Sequence, residues 1–127
     1  MKKTFLIIAI LCFISNSFAG QLYLSASGFY PSGPAETGVY DSVYISDYYN
    51  YVTISGGTSN QAVSDAFCFT DVVYTDATGW HQFSNQYGGP GNDSANFYHV
   101  IGTVNQSSTV GVNLEVFGLD GWATLNY

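Results

Sequence analysis

From Gln21 onward, apolar and polar side chains alternate with a period of two over most of the chain, in short runs bounded by Gly, Pro, Asn and Asp. A strand points successive side chains to opposite faces, so this spacing predicts half-buried β-strands. Nowhere in this region do apolar residues recur at helical spacing for two turns. Gln21–Phe29 sets Leu22, Leu24 and Ala26 against Tyr23, Ser25 and Ser27 and stops at a Pro-Ser-Gly-Pro turn. Val39–Ile45, Asn50–Ile54, Val63–Tyr74, Trp80–Tyr87, Phe97–Val104, Thr109–Phe117 and Trp122–Tyr127 follow, separated by turn residues that include the Gly-rich loop Gly88–Asn96. In Val63–Tyr74 the acids Asp65 and Asp71 share parity with Phe67, Phe69 and Val73, which predicts a bulge or bend. About eight short antiparallel strands with regular turn signals predict an all-β chain: a single β-sandwich of immunoglobulin-like or jelly-roll kind, with a small closed β-barrel as the alternative.

The stretch from Asp41 to Gly57, DSVYISDYYNYVTISGG, carries the strongest pattern. With Ser46–Tyr49 as a four-residue hairpin loop, Ile45 faces Asn50 and Val43 faces Val52. Val43, Ile45, Val52 and Ile54 then share a core face, and Tyr40, Tyr44, Tyr49 and Tyr51 fall together on the other. Such tyrosines serve either as half-buried rings with their hydroxyls in water or as a contact surface.

The first 19 residues change the charge picture. They contain Lys2, Lys3, an apolar run from Phe5 to Ile14 and small residues at Ser17 and Ala19, the pattern of a bacterial secretory signal peptide cut at Ala19/Gly20. The run is too short to span a bilayer, which needs about 20 apolar residues. The domain is therefore expected to be 20–127, secreted to the periplasm or the cell exterior. Lys2 and Lys3 are the only Lys or Arg in the chain, so residues 20–127 carry nine acids against none, formally −9 with His neutral. Nucleic-acid binding requires cations to displace phosphate counterions, and bidentate capture of anions requires Arg; both are excluded. Only Cys68 lies outside the leader, so the domain closes no disulfide of its own.

Candidate chemistry is sparse. His81 and His99 share parity with Phe83 and with Phe97 and Ile101, which places them at the core or its rim. Cys68 sits between phenylalanines and is expected to behave as a small buried hydrophobe. Asn92 and Asp93 in the Gly-rich loop, and Asp120 before Gly121, are weak calcium candidates that lack the D-x-[DN]-x-[DN]-G spacing. The chain is expected to be no enzyme and to need no cofactor.

The leading expectation is an exported β-domain that acts by surface contact, an adhesin-like, matrix or appendage component using Tyr40, Tyr44, Tyr49, Tyr51, Trp80 and Trp122 against a protein or carbohydrate surface or against further copies of itself. An acidic binder or inhibitor of a basic protein or peptide is the second reading. A carbohydrate-binding module that uses the same aromatics as stacking platforms is the third. A membrane-spanning barrel would leave almost no residues for the loops, so the chain is not expected to span a membrane.

Overall fold

The computed structural model describes residues 20–46, 50–88, 96–104 and 107–127. Residues 1–19, read above as a signal peptide, and Tyr49, Asn92 and Asp93 lie outside these. The described residues form strands β1 (Gln21–Ser27), β2 (Phe29–Tyr30), β3 (Gly33–Pro34), β4 (Glu36–Ile45), β5 (Asn50–Ser59), β6 (Phe67–Asp76), β7 (Gly79–Tyr87), β8 (Asn96–Val104), β9 (Ser108–Phe117) and β10 (Asp120–Asn126). The expected strands are present, but β5 runs to Ser59 instead of ending at Ile54, and β6 starts at Phe67 instead of Val63. The Pro-Ser-Gly-Pro turn contributes the two-residue pair β2 and β3.

Two four-stranded antiparallel sheets, ordered β1-β10-β5-β8 and β4-β9-β6-β7, pack face to face. The eight long strands pair outermost with outermost: β1 with β10, β4 with β9, β5 with β8, and β6 with β7. The chain is thus one long antiparallel hairpin rolled so that successive pairs fall in alternate sheets, which is a jelly-roll sandwich. It is open and not a closed barrel.

This roll corrects the expected pairing of β4 with β5. They lie in different sheets, so Val43 and Ile45 approach the core from one side and Val52 and Ile54 from the other. Their inward direction is as expected: Ile45, Val52 and Ile54 are fully buried and Val43 packs against the core. β6 runs without a bulge, its register continuous against β7 and β9. The irregularity lies instead between Val52 and Thr53, opposite β8.

The alternation along the central strand β9 explains most of the core. Val110, Val112, Leu114 and Val116 point inward with no solvent exposure, while Thr109, Gly111, Asn113, Glu115 and Phe117 point outward. Facing them from the other sheet are Leu24, Ala123 and Leu125. Full burial of each such aliphatic side chain contributes about 1.5–3 kcal/mol, which is how a sandwich without a disulfide holds together.

Tyr87 and Cys68 form the polar point of this core. The Tyr87 hydroxyl donates to the Trp122 carbonyl at 3.0 Å and takes a bond from the Thr70 hydroxyl at 2.8 Å, tying β7 to β10 in the opposite sheet. Burial pushes the Cys68 thiol from 9.0 up to about 11. The Tyr87 phenol is also raised from 10.0, by burial first and then by its hydrogen bond with Cys68. Both folded values lie above the unfolded ones, so their stabilisation is complete below pH about 8.5 and is lost as pH rises, at about 1.4 kcal/mol per unit for each group that only the unfolded chain has deprotonated. The melting temperature is expected to fall between pH 9 and 11, and less steeply in Cys68→Ala. Identical slopes in the two proteins would refute a role for the thiol.

Candidate functional site

The outer face of β4-β9-β6-β7 gathers aromatic rings that are distant in sequence. Tyr40 and Tyr44 stand on the edge strand β4 and Trp80 on the opposite edge strand β7, 64%, 65% and 65% exposed respectively. Three strand spacings separate these edges, about 14 Å. Between them runs a shallow open groove of about 470 Å³ with Gly111, Thr109, Val73 and Thr75 along its floor.

Gly111 shapes the groove. It sits mid-strand opposite Ser42 on one side and Val73 on the other. A Cβ built there would lie 2.6 Å from the Tyr40 hydroxyl and 3.1 Å from its Cε2. The missing side chain lets the Tyr40 ring lean across the sheet with its hydroxyl over β9. This is the close approach that a glycine inside a strand signals.

Polar groups continue the same face beside the rings. Asp71 accepts Gln82 Nε2–H at 2.8 Å and the Ser84 hydroxyl at 2.5 Å, and Gln82 also reaches Ser84 at 3.2 Å. Asn113 Nδ2 donates to Glu115 Oε1 at 3.0 Å. These bonds orient amides and hydroxyls before any ligand arrives, which lowers the entropy lost on binding. Farther along, Phe67 stacks on Phe117 with centroids 6.0 Å apart. The shared parity of Asp71, Phe67 and Phe69 thus reflects phenylalanines that face outward, with no local bend.

The remaining predicted residues divide between the two sides of the molecule. Trp122 and Tyr51 belong to the outer face of β1-β10-β5-β8, so the expected single tyrosine face is in fact two faces on opposite surfaces. Of the calcium candidates, Asp120 lies within the described residues, and its Oδ2 accepts Asn60 Nδ2–H at 2.8 Å. Asp71 and Asp76 point to opposite sides of β6. Among the described residues, no group of three or more His, Cys, Asp or Glu side chains is arranged to hold a metal ion.

His81 and His99 sit at the rim between β7 and β8, as their parity predicts. His81 Nε2 lies 2.9 Å from Asp76 Oδ1 and 2.7 Å from Thr78 Oγ1, and its ring stacks on Tyr74 at 4.7 Å. Asp76 Oδ1 also takes the Thr78 N–H at 2.8 Å and hydroxyl at 2.6 Å. Together these contacts pin the Ala77-Thr78 turn of the β6–β7 hairpin. His99 lies flat on Phe83, centroids 4.0 Å apart and planes at 7°.

Sequence reading missed Gly111, Val73, Asp71 and Gln82 as parts of the face. A glycine in the middle of the alternating run Thr109–Phe117 was the available signal for the first.

No protein-family model matches the chain, and no curated protein matches it. Several solved structures align with most of the chain. The enzymatically active domain of tailspike protein 4 from bacteriophage CBA120 aligns with 88% of this chain and 15% of that one, at 13% identity and a TM-score of 0.47. A structure of infectious bursal disease virus, Gx strain, aligns with 87% of this chain and 32% of that one, at 12% identity and a TM-score of 0.41. TmCBM61 in complex with β-1,4-galactotriose aligns over 90% and 89% of the two chains, at 12% identity and a TM-score of 0.42. The chain spans a small part of the first two proteins.

Proposed function

We propose that the protein is an exported, non-catalytic binding domain whose outer face on β4-β9-β6-β7 takes a neutral carbohydrate chain. The observation that carries this reading is the groove between Tyr40 and Tyr44 on one edge and Trp80 on the other, floored by Gly111 and Val73. A sugar ring presents apolar C–H groups on its faces and hydroxyls around its rim. It is matched by a site that combines aromatic planes with a few fixed polar groups. The Asp71, Gln82 and Ser84 network supplies such groups beside the rings.

Charge narrows the ligand further. The described residues contain no Lys or Arg, so nothing on the face compensates a uronate, sulfate or phosphate. A neutral polymer brings no such demand. The secretory pattern of residues 1–19 supports a place of action outside the cytoplasm. Burial raises the Cys68 thiol to about 11, which disfavours it as a nucleophile at neutral pH.

Affinity electrophoresis tests the reading with hydroxyethylcellulose, glucomannan, galactan and dextran as neutral probes and alginate and polygalacturonate as anionic ones. At least one neutral polymer is expected to retard the protein while the anionic ones leave it unmoved. Retardation should persist from 0.1 to 1 M salt, over which the Debye length falls from about 10 to about 3 Å. If no neutral polymer has any effect, the carbohydrate reading fails. Capture of a basic protein that disappears at 1 M salt would favour the acidic-binder alternative.

A milder prediction concerns Gly111→Ala. The atoms its Cβ would meet belong to the free end of an exposed tyrosine, which can swing away. The variant is expected to melt within a few degrees of wild type and to bind about 3- to 10-fold more weakly, a cost of about 0.7–1.4 kcal/mol. Unchanged affinity would show that the lie of the Tyr40 ring is irrelevant.

A further inference from the structure

The face on the opposite side of the sandwich has the same ingredients, built from different strands. Its register places Tyr23 on β1, Thr124 on β10, Ser55 on β5 and Tyr98 on β8 in one row, and Ser25, Trp122, Gly57 and Asn96 in the next. Tyr23 and Tyr98 are 60% and 64% exposed at the two edges of the sheet. Trp122 lies over Gly57, where an added Cβ would come 2.6 Å from Cε2 and Cζ2 of the indole. The second face thus repeats the device of the first, an aromatic ring laid over a mid-strand glycine with further exposed rings at the sheet edges.

A groove of about 400 Å³ runs beside this indole, lined by Tyr23, Ser25, Ser27, Ser59 and Asp120. Asp120 Oδ1 is buried there and has no hydrogen-bond partner, although Oδ2 is held by Asn60, itself in the left-handed region at φ 58. Asp120 stands on the wall of the groove, and the serines around it offer hydroxyl partners for a polyol. The absence of Lys and Arg among the described residues again disfavours an anionic ligand.

We propose that the outer face of β1-β10-β5-β8 is a second glycan-binding site, so that one molecule bridges two neutral polysaccharide strands. The inference rests on the function proposed above for its ligand class, but on separate residues. Two faces on opposite surfaces of one sandwich cannot close on a single straight strand. Binding at both therefore joins strands instead of gripping one more tightly.

The test uses the full exported chain, titrated calorimetrically with oligosaccharides of the neutral polymer that retards it, and turbidity of the parent polymer. Wild type is expected to show two sites per chain and to cross-link the polymer into a precipitate at matched stoichiometry. Tyr23→Ala with Asp120→Asn should leave one site and abolish precipitation while retardation remains. Tyr44→Ala with Trp80→Ala should also leave one site, lost when the two pairs are combined. Gly57→Ala, whose Cβ would press on the half-buried Trp122 indole and on Asn96 Oδ1, should weaken the second site about 3- to 10-fold while leaving the first site's affinity unchanged.

One site in wild type that disappears in Tyr44→Ala with Trp80→Ala would overturn the second site and leave the first reading standing. Binding untouched by that pair and lost in Tyr23→Ala with Asp120→Asn would support the second site and remove the first. Precipitation by wild type that persists in Tyr23→Ala with Asp120→Asn would overturn the bridging.

Discussion

Replacing both Tyr44 and Trp80 by Ala is expected to weaken binding of the neutral polysaccharide to the β4-β9-β6-β7 face at least 100-fold, with the melting temperature unchanged within a few degrees. The two rings stand on opposite edge strands with most of their surface in solvent. Removing them opens no cavity in the core, so the stability cost stays within the small range of surface substitutions. Their contribution to binding is of another order. Aromatic anchors at the centre of a contact typically cost 2 kcal/mol or more when truncated, and about 2.7 kcal/mol across the pair corresponds to the 100-fold loss. Truncating both is more informative than truncating either, because a strand bound across the groove re-seats on the remaining ring when one is lost. Calorimetry with an oligosaccharide in the Tyr23→Ala and Asp120→Asn background reads this face alone. Affinity within threefold of that background would mean that the ligand contacts some other part of the molecule. Phe at position 44 is expected to retain most of the affinity, since it keeps the ring plane and loses only the hydroxyl.

Why the sequence revealed the rings but not their partnership follows from what alternation encodes. Period-two spacing tells which face of its own strand a residue occupies, and on that count Val43, Ile45, Val52, Ile54, Tyr40 and Tyr44 read correctly. It does not identify the neighbouring strand. The local prior that joins two runs across a four-residue loop made a hairpin of β4 and β5. In the roll the closing partner of β4 is β9, more than 60 positions away along the chain. That non-local closure moves Tyr51 to the far surface and brings Trp80 alongside Tyr40 and Tyr44. The outward phenylalanines of β6 misled for a related reason. Hydrophobicity was taken as a mark of the core, yet Phe67 and Phe69 border an outer groove with Gln86 and Glu115. By contrast, the fold class and the burial of Cys68 needed only local information, and both were legible.

Gly28→Ala is expected to be strongly destabilising, costing about 3 kcal/mol and lowering the melting temperature by roughly 12–20 °C for a chain of about this size. Gly28 is where the start of the domain crosses the β9–β10 turn. Its N–H donates to the Leu119 carbonyl at 2.8 Å, and its carbonyl accepts the N–H groups of Ala35 at 2.9 Å and Gly118 at 3.1 Å. A Cβ there would sit 2.6 Å from the Gly118 nitrogen and 2.7 Å from the Leu119 oxygen. These are backbone atoms, which cannot rotate aside as the Tyr40 hydroxyl does at Gly111. Relief requires the strands to separate, breaking the two hydrogen bonds, to Leu119 and from Gly118, that hold the β1–β2 junction to the end of the hairpin. Gly38→Ala provides the matched control, because its Cβ would meet nothing closer than 3.6 Å, at Glu115 Cγ. It adds the same methyl group inside a strand, where replacing Gly removes an entropic cost of about 0.5–1 kcal/mol. Thermal melts of the two variants should therefore move apart, with Gly38→Ala at or slightly above wild type. Equal midpoints would show that the crossing at Gly28 is looser than the backbone spacing implies, and that the roll is not locked where its two ends meet.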